Sequence, residues 1–164
     1  VGLFAQEYAS TARQIMVKRA STAEIIFSLE QANAMLPLLR LIVADISLAH
    51  RELTERKLQF HRMLRRRDGQ PSSLYDDEVE ETRADLRVET QQLEELIHEL
   101  EGLGVILRSA YEGIVDFPTA IGDEAAYFCW KMGDGDVDSW HYPHESYSQR
   151  RPLPHDRSGY EPAR

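Results

Sequence analysis

Arg65-Arg66-Arg67-Asp68-Gly69-Gln70-Pro71-Ser72-Ser73 marks the place where the chain must reverse direction. From Asp68 onward the stretch is a turn by composition, with Gly and Pro among short polar residues. Its three arginines close a run in which apolar residues recur at spacings of three and four: Leu36, Leu39, Val43, Ile46, Leu53, Phe60 and Leu64. That period is one face of a helix, and cations at its end meet the negative pole of the helix dipole. His50 and Lys57 interrupt the seam, while Leu38, Leu41, Ile42 and Leu48 widen it in the first half. Past the turn, Asp76-Asp77-Glu78 put acids at the positive end of a second helix. Val79, Leu86, Leu93 and Leu100 follow seven apart, Leu96, Ile97 and Leu103 fill in the seam, and Gly104 stops it. At about 1.5 Å per residue the two stretches 37–67 and 74–103 are each roughly 45 Å long. Equal helices joined by a short turn form an antiparallel hairpin.

Upstream, Ser28-Leu29-Glu30-Gln31 fits a capping box and starts a helix with Phe27 outside it. Pro37 removes an amide donor and crowds the carbonyl of Asn33, so a short first helix is expected to end or kink there, with the long helix starting near Leu36. Charge supports the hairpin: residues 28–67 carry eight basic and four acidic side chains, and residues 68–104 carry two basic and twelve acidic. Folding brings His61-Arg62 and the arginine run beside Asp76-Asp77-Glu78 and Glu80-Glu81. Each exposed pair contributes only about 0–1 kcal/mol, but together they favour this pairing. The arginine run could also serve as a phosphate-binding patch, but the neighbouring acids compete for the same cations. Two helices enclose no core, and the first half of the long one is apolar on more than one side. A second copy of the chain is the expected cover, giving a homodimer.

The full chain has 164 residues, a formal charge of −9, 42% hydrophobic residues and one cysteine. No uninterrupted apolar run approaches the roughly 20 residues of a bilayer span, so no membrane partner is expected. The acidity argues against non-specific nucleic-acid binding, and one cysteine excludes a disulfide-stapled scaffold. Residues 1–26 lack the charged start, apolar core and cleavage site of a signal peptide and read as a poorly ordered leader. A cytoplasmic location follows as the expectation.

After Gly104 the period changes to that of strands. Val105-Ile106-Leu107, Gly113-Ile114-Val115-Asp116-Phe117-Pro118, Ala125-Ala126-Tyr127-Phe128-Cys129-Trp130-Lys131-Met132 and Val137-Asp138-Ser139-Trp140-His141 are β-like. Turns fall at Ile121-Gly122-Asp123 and Gly133-Asp134-Gly135-Asp136. The expected organisation is α+β. It has a short helix and a long coiled-coil-like helical hairpin over 27–104, and a small antiparallel β-sheet of three or four strands over 105–148, packed on the hairpin. Residues 149–164 form a tail.

Phe27-Ser28-Leu29-Glu30-Gln31-Ala32-Asn33, Gly113 to Pro118, Cys129-Trp130, Trp140-His141 and Arg151-Pro152 together resemble the bacterial domain of unknown function 2203 family, over about residues 26–153. The resemblance implies the hairpin-plus-sheet arrangement and no particular activity.

No motif identifies a reaction, so a catalytic role is left open. Asp116, Cys129, His141 and His144 are ligand types for zinc or iron, and each lies in or beside an expected strand. They lack the close Cys-x-x-Cys or His-x-x-x-His spacing of a signature. The plainer reading makes Cys129 a small buried hydrophobe, has His141 bonding a carbonyl, and puts Asp116 at a turn. A cysteine between Phe128 and Trp130 points away from both. It is exposed if they face the core and buried if they do not, and the pattern leaves both open. A Cys129–His141 nucleophile pair would need an exposed, acidified thiol. Asp134, Asp136, Asp138 and Glu145 fall at EF-hand positions, yet Ser139 replaces the glycine and Pro143 sits inside, so a strand-linking turn is expected. Glu95-Leu96-Ile97-His98 gives one Glu-x-x-His element, with Glu52 as a further candidate ligand. Trp130, Trp140, Tyr142 and Tyr147 suit an aromatic wall, or simply the core of a small sheet. Arg150-Arg151-Pro152 could anchor a carboxylate or phosphate, with Trp130, Trp140 and Arg151 as ligand contacts. The reading expected first is a homo-oligomeric binding or scaffold protein. The alternative is a transition-metal or small-ligand protein centred on Asp116, Cys129 and His141.

Overall fold

A computed structural model describes residues 26–65 and 73–153, with side chains of the second helix from Asp76 onward. Residues 1–25, 66–72 and 154–164 lie outside the described residues, and with them most of the expected leader, the turn and the end of the expected tail.

Helix α1, Leu29–Arg65, opens on the expected capping box. The Ser28 hydroxyl accepts from the Gln31 amide at 3.1 Å, and the Gln31 side chain accepts from the Ser28 amide at 2.9 Å. It is one helix of 37 residues, not a short helix followed by a long one, and Pro37 lies inside it. Ala32, Leu36 and Leu39 are buried on one side across the proline, while the ring itself is exposed. Burial on both sides of Pro37 outweighs the one missing hydrogen bond. Helix α2, Ser73–Gly102, returns along α1. Val79, Leu86, Leu93 and Leu100 are all buried, as are Leu53 and Phe60 opposite them. Arg56 ties the helices together through Glu89, and through Asp85 at 3.9 Å.

By length and composition α1 passes for a membrane span, with a window of mean hydropathy 1.5, contrary to what uninterrupted apolar runs suggest. A third of that window is buried, with Leu36, Leu39, Val43 and Ile46 in the core.

Five antiparallel strands follow in simple meander order: β1 Ile106–Ser109, β2 Ile114–Ile121, β3 Glu124–Lys131, β4 Ser139–His141 and β5 Arg151–Pro152. The fifth lies in the stretch expected to be tail; Arg151 pairs with Trp140 and Pro152 with Ser139. One face of the sheet lies on the first half of α1, where Phe27 meets Phe117 edge-on at 5.5 Å. The Thr119 hydroxyl donates to the Phe27 carbonyl at 2.9 Å. At the end of the β1–β2 connection the backbone passes close to the helix. Gly113 has φ +65°, and a Cβ there would lie 2.7 Å from Met132 Cβ and 3.0 Å from Val43 Cγ1.

The β3–β4 connection also docks on α1. Arg40 donates to the Gly135 carbonyl at 2.7 Å, and Asn33 accepts from the Val137 amide at 2.8 Å. Trp130, fully buried, donates its indole N–H to the same Gly135 carbonyl at 3.1 Å.

Candidate metal centre

Strand alternation separates two faces of the sheet. Val115, Phe117 and Thr119 of β2 pair with Trp130, Phe128 and Ala126 of β3, all on the helix side. The other face takes the residues between them. Asp116 stands opposite Cys129, Cys129 opposite Ser139, and Tyr127 opposite His141. Three neighbouring strands therefore bring a carboxylate, a thiol and an imidazole together. Their ligand atoms lie within 4.8 Å of one another. Asp116, Cys129 and His141 are 0%, 1% and 2% exposed.

The sequence pattern implied that Cys129 would be exposed if Phe128 and Trp130 faced the core. They do, and Cys129 is buried all the same. The segment after β4 turns back over the outer face. The Glu145 carboxylate accepts from the Tyr142 amide at 2.9 Å, and the Gln149 side chain accepts from the Ser146 amide at 3.0 Å. A 3-10 turn, Tyr147–Gln149, follows, then β5, then a bond from the Leu153 amide to the Asp138 carbonyl at 2.7 Å. The clamp is an ion pair between Arg151 and Glu145.

Arg108 completes the cluster. It is the extra residue of a β-bulge between Leu107, which pairs with Val115, and Ser109, which pairs with Ile114. Bulges re-aim side chains. Here Arg108 Nε donates to Asp116 Oδ2 at 2.5 Å, with its guanidinium 4.8 Å from the Tyr127 ring centre.

The protons in this cluster are constrained by its partners. His141 Nδ1 lies 2.7 Å from the Tyr142 carbonyl, which can only accept, so this nitrogen carries a hydrogen. Nε2 lies 3.1 Å from Asp116 Oδ2, already an acceptor from Arg108. A neutral ring would set a lone pair against a carboxylate oxygen, so a proton or another cation must lie between them. Asp116 Oδ1 is buried and has no hydrogen-bond partner. Burial first, and the negative Asp116 second, push the Cys129 thiol well above its ordinary pKa. Arg150 and Arg108 pull it the other way without prevailing. Cys129 is thus no free thiolate nucleophile.

The other candidates do not converge here. His144 is exposed and stacks on Tyr142 at 5.7 Å, outside the group of three. Trp130 is on the helix side. Trp140 and Arg151, a cross-strand pair in register with Phe128, share that side, with the Arg151 guanidinium 5.1 Å from the Trp140 ring centre. The EF-hand acids are dispersed: Asp134 accepts from the Lys131 amide at 3.3 Å, and Glu145 holds Arg151. Glu52, Glu95 and His98 are exposed and form no ligand group among the described residues. Arg108 was not foreseen. Its one signal was a cation directly after the apolar run Val105-Ile106-Leu107, and its aim depends on the bulge.

The fold and site define a class: a long helical hairpin carrying a five-stranded meander, with a buried Asp–Cys–His group under its C-terminal strap. The chain belongs to the family described as Uncharacterized conserved protein (DUF2203), whose model matches residues 25–153. No curated protein and no solved structure matches the chain.

Proposed function

We propose that Asp116, Cys129 and His141 bind one divalent transition-metal ion, zinc in preference to iron. The observation that carries this reading is the His141 ring, fixed by a carbonyl at Nδ1 and turned by Nε2 toward a carboxylate within a buried group of three ligands. An N–H to carbonyl bond on one ring nitrogen is how metal-bound histidines are usually oriented. A metal ion at Nε2 replaces the proton otherwise needed there, gives Asp116 Oδ1 the partner it lacks, and converts the Cys129 thiol to thiolate. The two anions balance the dication, and the soft sulfur ligand favours zinc. Three protein ligands leave one position open, as in catalytic rather than structural zinc sites.

Native mass spectrometry with elemental analysis, on untagged protein purified without chelator, tests the reading. The expected result is about one metal ion per chain, lost in Cys129→Ser and His141→Ala while the fold persists. Protein that is metal-free and takes up neither zinc nor cobalt from micromolar solution refutes it.

A second reading, association into a homo-oligomeric scaffold, is favoured by one observation. Leu38, Leu41 and Leu48 are exposed along one side of α1, Leu41 at 67%. Asp45 interrupts that stripe, which suits a protein contact better than lipid. Sedimentation should give a dimer that Leu41→Glu converts to monomer; a monomeric parent protein rejects it.

A further inference from the structure

A cavity of about 420 Å³ lies beside the cluster, lined by Asp138, Ser139, Ser148, Arg150 and Pro152. Ser139 is the cross-strand neighbour of Cys129, so the cavity wall and the thiol stand side by side on one face. Arg150 is close enough for its charge to act on that thiol. Its guanidinium lies 4.0 Å from the Tyr147 ring centre and donates to the Tyr147 carbonyl at 3.4 Å. Among the described residues it has no carboxylate partner. Its neighbour Arg151 is the opposite case, taken up by Glu145 on the other side of the sheet.

With a dication on Asp116, Cys129 and His141, the metal and its ligands are neutral together. Arg108 and Arg150 then remain as two cations at the margin of the site. Arg108 gives Asp116 its Nε. The cavity itself is lined by one cation, Arg150, and one carboxylate, Asp138, while Arg108 stays with Asp116. Beside an open metal position Arg150 suits an anion of low charge, and guanidinium groups recognise planar oxyanions. The two serine hydroxyls can donate to such a group or accept from it, and Asp138 disfavours a highly charged one. The cavity falls within the range of small-molecule sites.

We propose that this cavity binds a small carboxylate-bearing molecule, with its carboxylate between Arg150 and the open position of the metal. The inference rests on the metal reading above. Arg150 serves as an anchor for the ligand and holds no metal.

The test uses full-length protein loaded with cobalt, whose visible spectrum reports coordination, titrated with acetate, glycolate or inorganic phosphate as probes. The expected result is a saturable spectral change with acetate or glycolate. Arg150→Gln should weaken it about tenfold or more with cobalt stoichiometry unchanged. If cobalt binds and no carboxylate perturbs it, or if Arg150→Gln binds carboxylates as well as the parent, the inference falls while the metal reading stands. A stronger response to phosphate than to either carboxylate also overturns it. If cobalt does not bind at all, the metal reading itself has failed.

Discussion

Replacing Gly113 by alanine tests how β2, the strand that carries Asp116, is seated on α1. Three effects act together. The φ of +65° places an L residue in the left-handed region, a strain of about 1–2 kcal/mol. The new methyl would stand 2.7 Å from Met132 Cβ, an atom fixed to the backbone, and 3.0 Å from Val43 Cγ1. Overpacking of that kind costs about 1–3 kcal/mol. Against these, alanine restricts the unfolded chain and returns about 0.4–1 kcal/mol. The net expectation is a loss of about 2–4 kcal/mol. Gly122, at φ +62° in the β2–β3 turn, is the control, because a Cβ there meets nothing within 4 Å. Gly122→Ala should show the strain alone, a net loss of about 1 kcal/mol or less.

Urea unfolding followed by far-ultraviolet circular dichroism measures both variants. With a slope of about 2 kcal/mol per molar, Gly113→Ala should lower the midpoint by about 1–2 M and Gly122→Ala by no more than about 0.5 M. The comparison matters more than either value, because both variants share the backbone strain. If Gly113→Ala is no worse than Gly122→Ala, the close approach of the β1–β2 connection to α1 is wrong, and with it the packing that sets the height of Asp116.

Asp116→Ala leaves the buried His141 Nε2 without its carboxylate and frees Arg108, so unfolding free energy should fall by about 3–5 kcal/mol; a loss below about 1 kcal/mol in urea titration refutes the buried pairing. Cys129 should resist a disulfide reagent in the native state and react fully in denaturant, since its thiol is buried and its pKa raised; prompt native reaction at neutral pH refutes this. The Arg151 guanidinium, then the Tyr142 amide, hold the Glu145 carboxyl down to about 2. Its folded value lies below its unfolded one, so its contribution is whole above about pH 4.5 and is lost as the pH falls toward 2. Carboxyl chemical shifts should give a Glu145 midpoint near that depressed value; an ordinary glutamate midpoint rejects the clamp.

Much of the architecture was legible because it repeats. Val79, Leu86, Leu93 and Leu100 declare one helix face, and all four are buried. Ser28 and Gln31 declare the start of α1 within a single turn of chain. Pro37 misled because local chemistry predicts a break, whereas burial of residues on both sides of it carries the helix through. Asp116, Cys129 and His141 could be named from residue type and strand placement. Their convergence rests on register, which no local pattern fixes. The burial of Cys129 depends on a strap whose last part, Arg151-Pro152, is too short to show strand periodicity. The aim of Arg108 depends on a bulge, one extra residue that leaves no mark on composition.

The cluster is poorly explained as reinforcement of the fold. A buried ion pair rarely stabilises more than well-packed apolar residues of the same volume. Positions 116, 129 and 141 are fully covered sites on the central strands of a small sheet, where Val or Ile would pack without desolvating a charge. The chain instead places an acid, a thiol and an imidazole there and uses Arg108, through a bulge, to hold the acid. Even so it leaves Asp116 Oδ1 without a partner and turns His141 Nε2 toward an oxygen. Departures from good packing of this kind concentrate where a site is built. The strap supports the same view: it runs over the face that carries the cluster, the Glu145–Arg151 pair fastens it from the other side of the sheet, and Leu153 packs against the core only at its far end. What the strap does supply is exclusion of water from three ligand groups, which strengthens their hold on a cation.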